Sequence, residues 1–288
     1  MEYPIFIKFK QTIKKKFKLD KLDKLDKLDK LDNLYDLTIA KANDLYRKLS
    51  LLNNDNVWTI PIGVKFYLPL YPWDIIQRAI VDEHDFFERG ILESLKRYTP
   101  QNAVILDIGA NIGNHSIFWA TICGAKRVHA FEPIPHTFAM LQKNIILNGL
   151  EQVVLPHNFG LGDKSASGEI SIGYADNIGG TSIKESSISN KFSLKIHALD
   201  SIDLGEEKID FMKIDVEDME LQALEGMKNT LRKYKPVVFI ESFEAGHDYQ
   251  LPIGYSSNAP KVREFFKKLG GYSDAIKTDY MNWLFIPE

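Results

Sequence analysis

From Val57 onward, apolar positions recur in two alternating rhythms, short continuous runs and helical spacings. Residues 64–70 read as a strand, ended by Pro69 and Pro72. Residues 73–98 read as one or two helices, with Ile76, Ile80, Phe86, Phe87, Ile91, Leu92 and Leu95 at roughly helical spacing. Beyond Pro100 the pattern predicts strands over 103–107, 127–132, 153–157, 209–214, 237–241 and 283–286. Helices are predicted over 114–122, 136–148, 220–234 and 260–269. Short apolar strands alternating with helices imply an α/β domain whose parallel sheet is covered on both faces. Right-handed crossovers then gather the strand C-termini and their loops at one edge, where ligands bind.

The first 56 residues have another texture and form a separate segment, an N-terminal helical arm. Lys-Leu-Asp occurs five times in succession over residues 18–32. A period of three advances the leucine by about 300° per step on a helix of 3.6 residues per turn, so the stripe circles the helix and builds no straight seam. Lys/Asp pairs three and four apart could support a solvated, exposed or self-associating helix. Before the repeat, Lys8, Lys10, Lys14, Lys15 and Lys16 interleave with Phe6, Ile7, Phe9, Ile13 and Phe17. That mixture could instead touch an anionic membrane surface or a partner. The domain reading is therefore an arm over 1–56 and a folded domain over 57–288, divided into a subregion at 57–100 and a Rossmann-like core at 101–288.

Composition narrows the class. A net charge of −3 gives no ground for nucleic acid as partner. Cys123 is the single cysteine, which excludes an internal disulfide and a cysteine-based zinc site and fits a reducing, cytoplasmic setting. No apolar run approaches the ~20 residues that span a bilayer, and the N-terminus lacks a signal-peptide pattern.

The chemistry concentrates in Val104-Ile-Leu-Asp107-Ile-Gly109-Ala-Asn111-Ile-Gly113-Asn114-His115. A buried strand ends near Asp107, a glycine turn follows, and a helix starts. Gly109 and Gly113 allow a tight turn and close approach to a ligand. A nicotinamide fingerprint would want glycine where Asn111 stands, and Asp107 would repel a pyrophosphate. The acid suits instead the cationic aminoacyl and sulfonium region of S-adenosylmethionine. In Val128-His-Ala-Phe-Glu132-Pro133, Glu132 ends the next strand 25 residues after Asp107, placed to accept both ribose hydroxyls. Asn158-Phe159-Gly-Leu-Gly-Asp163 follows the third strand, where adenine would sit. Phe159 could pack on the base or in the core, and Asp163 could receive the adenine amino group or form a turn.

With Lys213-Ile-Asp215-Val-Glu217-Asp218-Met-Glu220 and Pro236-Val-Val-Phe-Ile-Glu241, these motifs resemble the FkbM family of methyltransferases from about Val64 to Ile286. The resemblance implies a class I fold with a seven-stranded, mostly parallel sheet. It also implies S-adenosyl-L-methionine as donor, S-adenosyl-L-homocysteine as product, and O-methylation of a sugar or related hydroxyl, often in bacterial glycans such as capsule. Asp218 departs from the family's usual glycine; if that position needs positive φ, Asp tolerates it better than most residues.

Methyl transfer from a sulfonium requires collinear alignment, and a hydroxyl acceptor needs a proton acceptor. Candidates are Asp215, Glu217, Glu241 and His247, with Asp215 favoured as base or as orienter of the substrate. Glu217 and Glu220 could equally complement a helix dipole. Lys213 could meet an anionic substrate or pair with a carboxylate, and His115 could contact donor or acceptor or close its turn. The carboxylates could alternatively hold a divalent cation. Residues 177–182 and 242–258 are candidate acceptor loops. Competing readings are an amine, phosphorylated small-molecule or protein acceptor, a dehydrogenase (opposed by Asn111 and the missing third glycine), and a non-catalytic, tethered nucleoside-binding module. Self-association through the arm stays open.

Overall fold

The structure is a computed structural model that describes residues 56–169, 193–245 and 256–288. The arm with its Lys-Leu-Asp repeat lies outside the described residues. An antiparallel hairpin, β1 (Val57–Thr59) with β2 (Lys65–Tyr67), opens the domain and leads into α1 (Ile75–Glu83) and α2 (Arg89–Leu95). The core then alternates β3 (Val104–Ile108), α3 (Asn114–Thr121), β4 (Arg127–Phe131), α4 (Pro135–Leu147) and β5 (Val154–His157). After an excursion through β6 (Gly160–Leu161), β7 (Ala166–Glu169) and β8 (Ser193–His197) come β9 (Phe211–Ile214), α5 (Glu220–Glu225) and α6 (Lys228–Tyr234). The chain closes with β10 (Val237–Glu241), α7 (Ala259–Leu269), β11 (Ile276–Lys277) and β12 (Asn282–Phe285).

Seven strands form one sheet in the order β11-β12-β10-β9-β3-β4-β5. Five are parallel, and β12 and β11 add an antiparallel edge. This is the class I methyltransferase arrangement expected from the motifs. Alternation along each strand divides the core between the two faces. Ile105, Val128, Ala130, Phe211, Phe239 and Leu284 pack on one side, with Phe118 and Leu141 of the covering helices. Leu106, Ile108, Phe131, Met212, Ile214 and Ile240 pack on the other, with Leu224, Leu231 and Phe266.

One expectation is corrected. The helix expected over 220–234 is two helices, α5 and α6, parted at Gly226. A Cβ on Gly226 would lie 1.8 Å from the carbonyl oxygen of Gly162, so only glycine fits where the backbone after β6 passes this point. Not anticipated from the sequence, β6, β7 and β8 form their own three-stranded sheet, in the order β6-β8-β7. Among the described residues no helix is long and apolar enough to cross a membrane.

Candidate active site

A cleft opens at the C-terminal ends of β3, β4 and β9, lined by Ile108, Gly109, Asn111, Glu132, Pro133, Ile134, Asp215 and Glu217. Leu161, Leu194, Ile196, Val216 and Met219 give it an apolar wall. The turn from β3 to α3 passes through Gly109 (φ 80°), Asn111 (φ 51°) and Gly113 (φ 89°). The glycines are required first by the protein itself. A Cβ on Gly109 would sit 1.8 Å from the backbone oxygen of Asp215, and one on Gly113 would sit 2.6 Å from a methyl carbon of Leu141. The turn is thus seated between the exit of β9 and helix α4.

Glu132 closes the floor. It is 5% exposed, and its two carboxylate oxygens accept the backbone N–H groups of Asn111 (3.0 Å) and Ile134 (2.8 Å). Burial pushes its carboxyl up to about 7, partly offset by those two N–H groups. A carboxylate with lone pairs left over, beside a cleft of aliphatic walls, fits a diol attached to a flat apolar ring, as in the adenosine of S-adenosylmethionine. Bound there, that compound supplies a methyl group on a sulfonium; Glu132 would hold the ribose, and the apolar wall the nucleoside.

Lys213 is the hub behind the cleft. Its ammonium donates to the carbonyl of Gly109 (2.7 Å), pairs with Asp215 (3.0 Å) and faces Asp107 at 3.6 Å. Burial opposes its charge, but Asp215 and Asp107 overcome this and hold it above the ordinary lysine range. Asp107 is fully buried and accepts from the Ser116 hydroxyl at 2.5 Å. It therefore stands behind the turn and does not line the cleft. Of the two roles open to Lys213, the structure shows carboxylate pairing.

Beside the cleft, Asp215 directly follows β9 and Glu241 ends the adjacent strand β10. Burial, reinforced by Asp215, Glu217 and Glu88, raises the Glu241 carboxyl well above its usual range. Glu88 comes from the segment before α2, in a left-handed backbone conformation (φ 58°), and its carboxylate lies 3.4 Å from Nε2 of His115. Asn114 locks this wall in place: its side chain accepts from the Phe87 N–H and donates to the Phe87 carbonyl, both at 3.0 Å. Among the described residues no group of three or more His, Cys, Asp or Glu is arranged to hold a metal ion.

Asp218 adopts φ 76°, the positive φ that explains glycine or aspartate there. Its carboxylate accepts from the Ser256 N–H, the Ser256 hydroxyl and the Asn258 amide, each at 3.0 Å. Glu220 accepts from the Asp218 N–H (2.8 Å) and from Asn258 (3.0 Å), so it braces this loop. Across the same stem, Ala245 donates to Ser257 Oγ and Ala259 to the Phe243 carbonyl, both at 3.0 Å.

The remaining expected residues divide. Asn158 donates to the carbonyls of Glu132 (2.9 Å) and Pro133 (3.2 Å), shaping the floor from outside. Phe159 packs in the core against Phe131, His157 and His197. Asp163 is exposed and away from the cleft lining. His247 and residues 177–182 lie outside the described residues. Sequence reasoning missed the wall residues Leu194, Ile196 and Met219, and also Glu88. The alternation of Leu194 and Ile196 between polar neighbours was the available signal for the first two.

The sequence model described as the methyltransferase FkbM domain matches residues 107–272. A hexuronic acid methyltransferase, AglP of Haloferax volcanii, is 33% identical over 156 residues, covering 52% of this chain and 61% of that protein. The match thus spans about three fifths of this relative's length. The methyltransferase sdnD of Sordaria araneosa is 26% identical over 178 residues, covering 50% of this chain and 68% of that one. Among solved structures, a methyltransferase FkbM from Methylobacillus flagellatus aligns at TM-score 0.44 with 16% identity, over 65% of this chain and 43% of that one. A SAM-dependent methyltransferase from Aquifex aeolicus aligns at TM-score 0.45 with 14% identity, over 72% and 90%. With its motifs gathered on one sheet edge and more than half its length matched, this chain belongs to the FkbM family of S-adenosylmethionine-dependent methyltransferases.

Proposed function

We propose that the protein O-methylates a hydroxyl group of a sugar or a related small hydroxylated metabolite, in the setting of bacterial glycan assembly. The observation that carries this reading is the acceptor edge itself: Asp215, held by Lys213, stands beside Glu241 with its raised carboxyl. Two adjacent carboxyl groups, one of which burial disposes to keep its proton, can grip two neighbouring hydroxyls of a polyol and fix one of them in line with the donor. The hexuronic acid acceptor of the archaeal relative supports the sugar class. Lys213 is already committed to two carboxylates, so a carboxylate or phosphate on the acceptor would have to point away from this edge.

Glu132, Asn111 and Pro133 serve the donor nucleoside, and Asp215 orients the acceptor, while Lys213 and Asp107 keep Asp215 and the Gly109 turn in register. A panel of hexoses, hexuronic acids and their nucleotide-linked forms, assayed by release of S-adenosylhomocysteine, tests the proposal. Turnover of at least one hydroxyl acceptor, lost in Asp215→Asn, is expected. Turnover confined to amines, and surviving Asp215→Asn, would move the assignment to N-methylation.

A further inference from the structure

With Asp215 orienting the acceptor, the proton of the acceptor hydroxyl still needs a destination. Asp215 already receives the Lys213 ammonium at 3.0 Å, so one of its oxygens is committed to holding that charge. At the start of α3 stands a carboxylate–imidazole pair that no role has absorbed, Glu88 with His115. We propose that His115, oriented by Glu88, is the catalytic base that accepts this proton, and that the helical subregion before the family domain is thereby part of the active site. The inference rests on a hydroxyl acceptor.

The geometry supports the assignment in three ways. His115 is the second residue of α3, directly after the turn formed by Gly109, Asn111 and Gly113, of which Gly109 and Asn111 line the cleft. Its ring is held rather than free, with 11% of the side chain exposed and the Trp119 ring 5.7 Å away in an edge arrangement. Its Nε2 is buried and faces the Glu88 carboxylate at 3.4 Å, a separation that is long for a hydrogen bond. Such catalytic contacts shorten when substrates close the site. No described residue pairs with Nδ1. With the proton of neutral imidazole on Nε2, towards Glu88, the Nδ1 lone pair is left to accept.

Glu88 is placed at some expense. A left-handed backbone at a non-glycine residue is a strained choice, and here two hydrogen bonds between Phe87 and Asn114, one accepted and one donated by the Asn114 side chain, hold the neighbouring residue. Residue 88 lies outside the 107–272 segment shared with the family, so this carboxylate belongs to the chain's own N-terminal subregion. In the reaction, the acceptor oxygen forms its bond to the methyl carbon while the carbon–sulfur pair stays on sulfur. The O–H bond breaks, its proton moves to Nδ1, and the resulting imidazolium is balanced by Glu88. Atoms and charge are conserved, and the proton later leaves to solvent.

The test compares wild type, His115→Gln, His115→Gly and Glu88→Gln, using the hydroxyl acceptor on which wild type is active. General-base assistance is typically worth 10²–10⁴-fold, so kcat should fall at least a hundredfold in His115→Gln and about tenfold in Glu88→Gln. Affinity for S-adenosylhomocysteine should stay within threefold, and added imidazole should restore part of the rate in His115→Gly, an effect a packing role would not give. Independently of turnover, ¹⁵N spectra of histidine-labelled protein with S-adenosylhomocysteine should show His115 as the Nε2–H tautomer, and Glu88→Gln should remove that preference. A His115→Gln enzyme within threefold of wild type, or a protonated Nδ1 in the wild-type spectrum, overturns the assignment. Wild-type turnover of amines alone instead overturns the hydroxyl reading on which it rests, and the two failures are read from different arms.

Discussion

Donor binding should be linked to a proton through Glu132. In the free protein this carboxyl is raised from 4.5 to about 7 by burial. At 1.36 kcal/mol per unit, the burial disfavours the carboxylate by about 3 kcal/mol. The sign follows from proton binding. Between pH 4.5 and 7 the folded protein holds a proton on Glu132 that the unfolded chain has released, so this group's contribution to stability falls as pH rises through that window. A ribose diol donating to Glu132 favours the ionised form, so the donor must displace the proton below about pH 7. Calorimetric titration with S-adenosylhomocysteine at pH 6, in buffers of different ionisation enthalpy, should report release of most of one proton. Affinity should weaken below pH 7 with a limiting slope of about tenfold per pH unit and level off above pH 8. Glu132→Gln should bind 10–100-fold more weakly, since an amide must turn its NH₂ toward one of the two backbone donors and leave that N–H unpaired, about 1–3 kcal/mol. Its affinity should no longer depend on pH in this range. An observed enthalpy independent of buffer at pH 6 would refute the reasoning.

Lys213→Met should destabilise the protein by about 3–5 kcal/mol in urea titrations, because buried Asp107 loses its counter-ion, and adding Asp107→Asn should recover part of that loss. Gly226→Ala should cost about 1–3 kcal/mol despite alanine's better helix propensity, since its Cβ meets the Gly162 carbonyl; a stabilised variant would contradict the close approach. His157 is held down to about 4, by burial and then by His129, so protonation favours the unfolded chain and its contribution is lost as pH falls from 6.5 toward 4. Because Glu132 acts in the opposite direction over the same range, the check is a comparison: Tm of His157→Phe, which keeps the stack on Phe131, should fall less between pH 7 and 5 than that of wild type.

The parallel core was legible because each strand must satisfy two buried faces, which leaves uninterrupted runs such as Val104–Ile108 and Val237–Glu241. The glycine turn and Glu132 could be read for the same reason: a strand end fixes where the next residues point. What the chain order concealed were contacts between distant segments. Gly226 looks like a tolerated helix glycine until Gly162 is brought against it, 64 residues away in sequence. Gly109 invites a ligand-based explanation, yet its missing Cβ makes room for the Asp215 backbone. Asp107 reads as a donor contact because it ends a strand, but alternation turns it inward onto Ser116 and Lys213. Glu88 carries no local signal at all, since its importance comes from Asn114 docking a different segment onto the start of α3.

The stem joining Phe243–Ala245 to Ser256–Ala259 bears on how such an enzyme can change its acceptor. Its rungs, together with the Asp218 carboxylate, hold residues 245 and 256 at fixed positions whatever lies between them. The ten residues at 246–255 are therefore an interval whose ends are already closed. Doubling its length would add only about 0.6 kcal/mol of closure entropy. On the proposed reading of residues 242–258 as an acceptor loop, exchanging that interval should alter acceptor range while the donor cleft and the Lys213 hub keep their geometry.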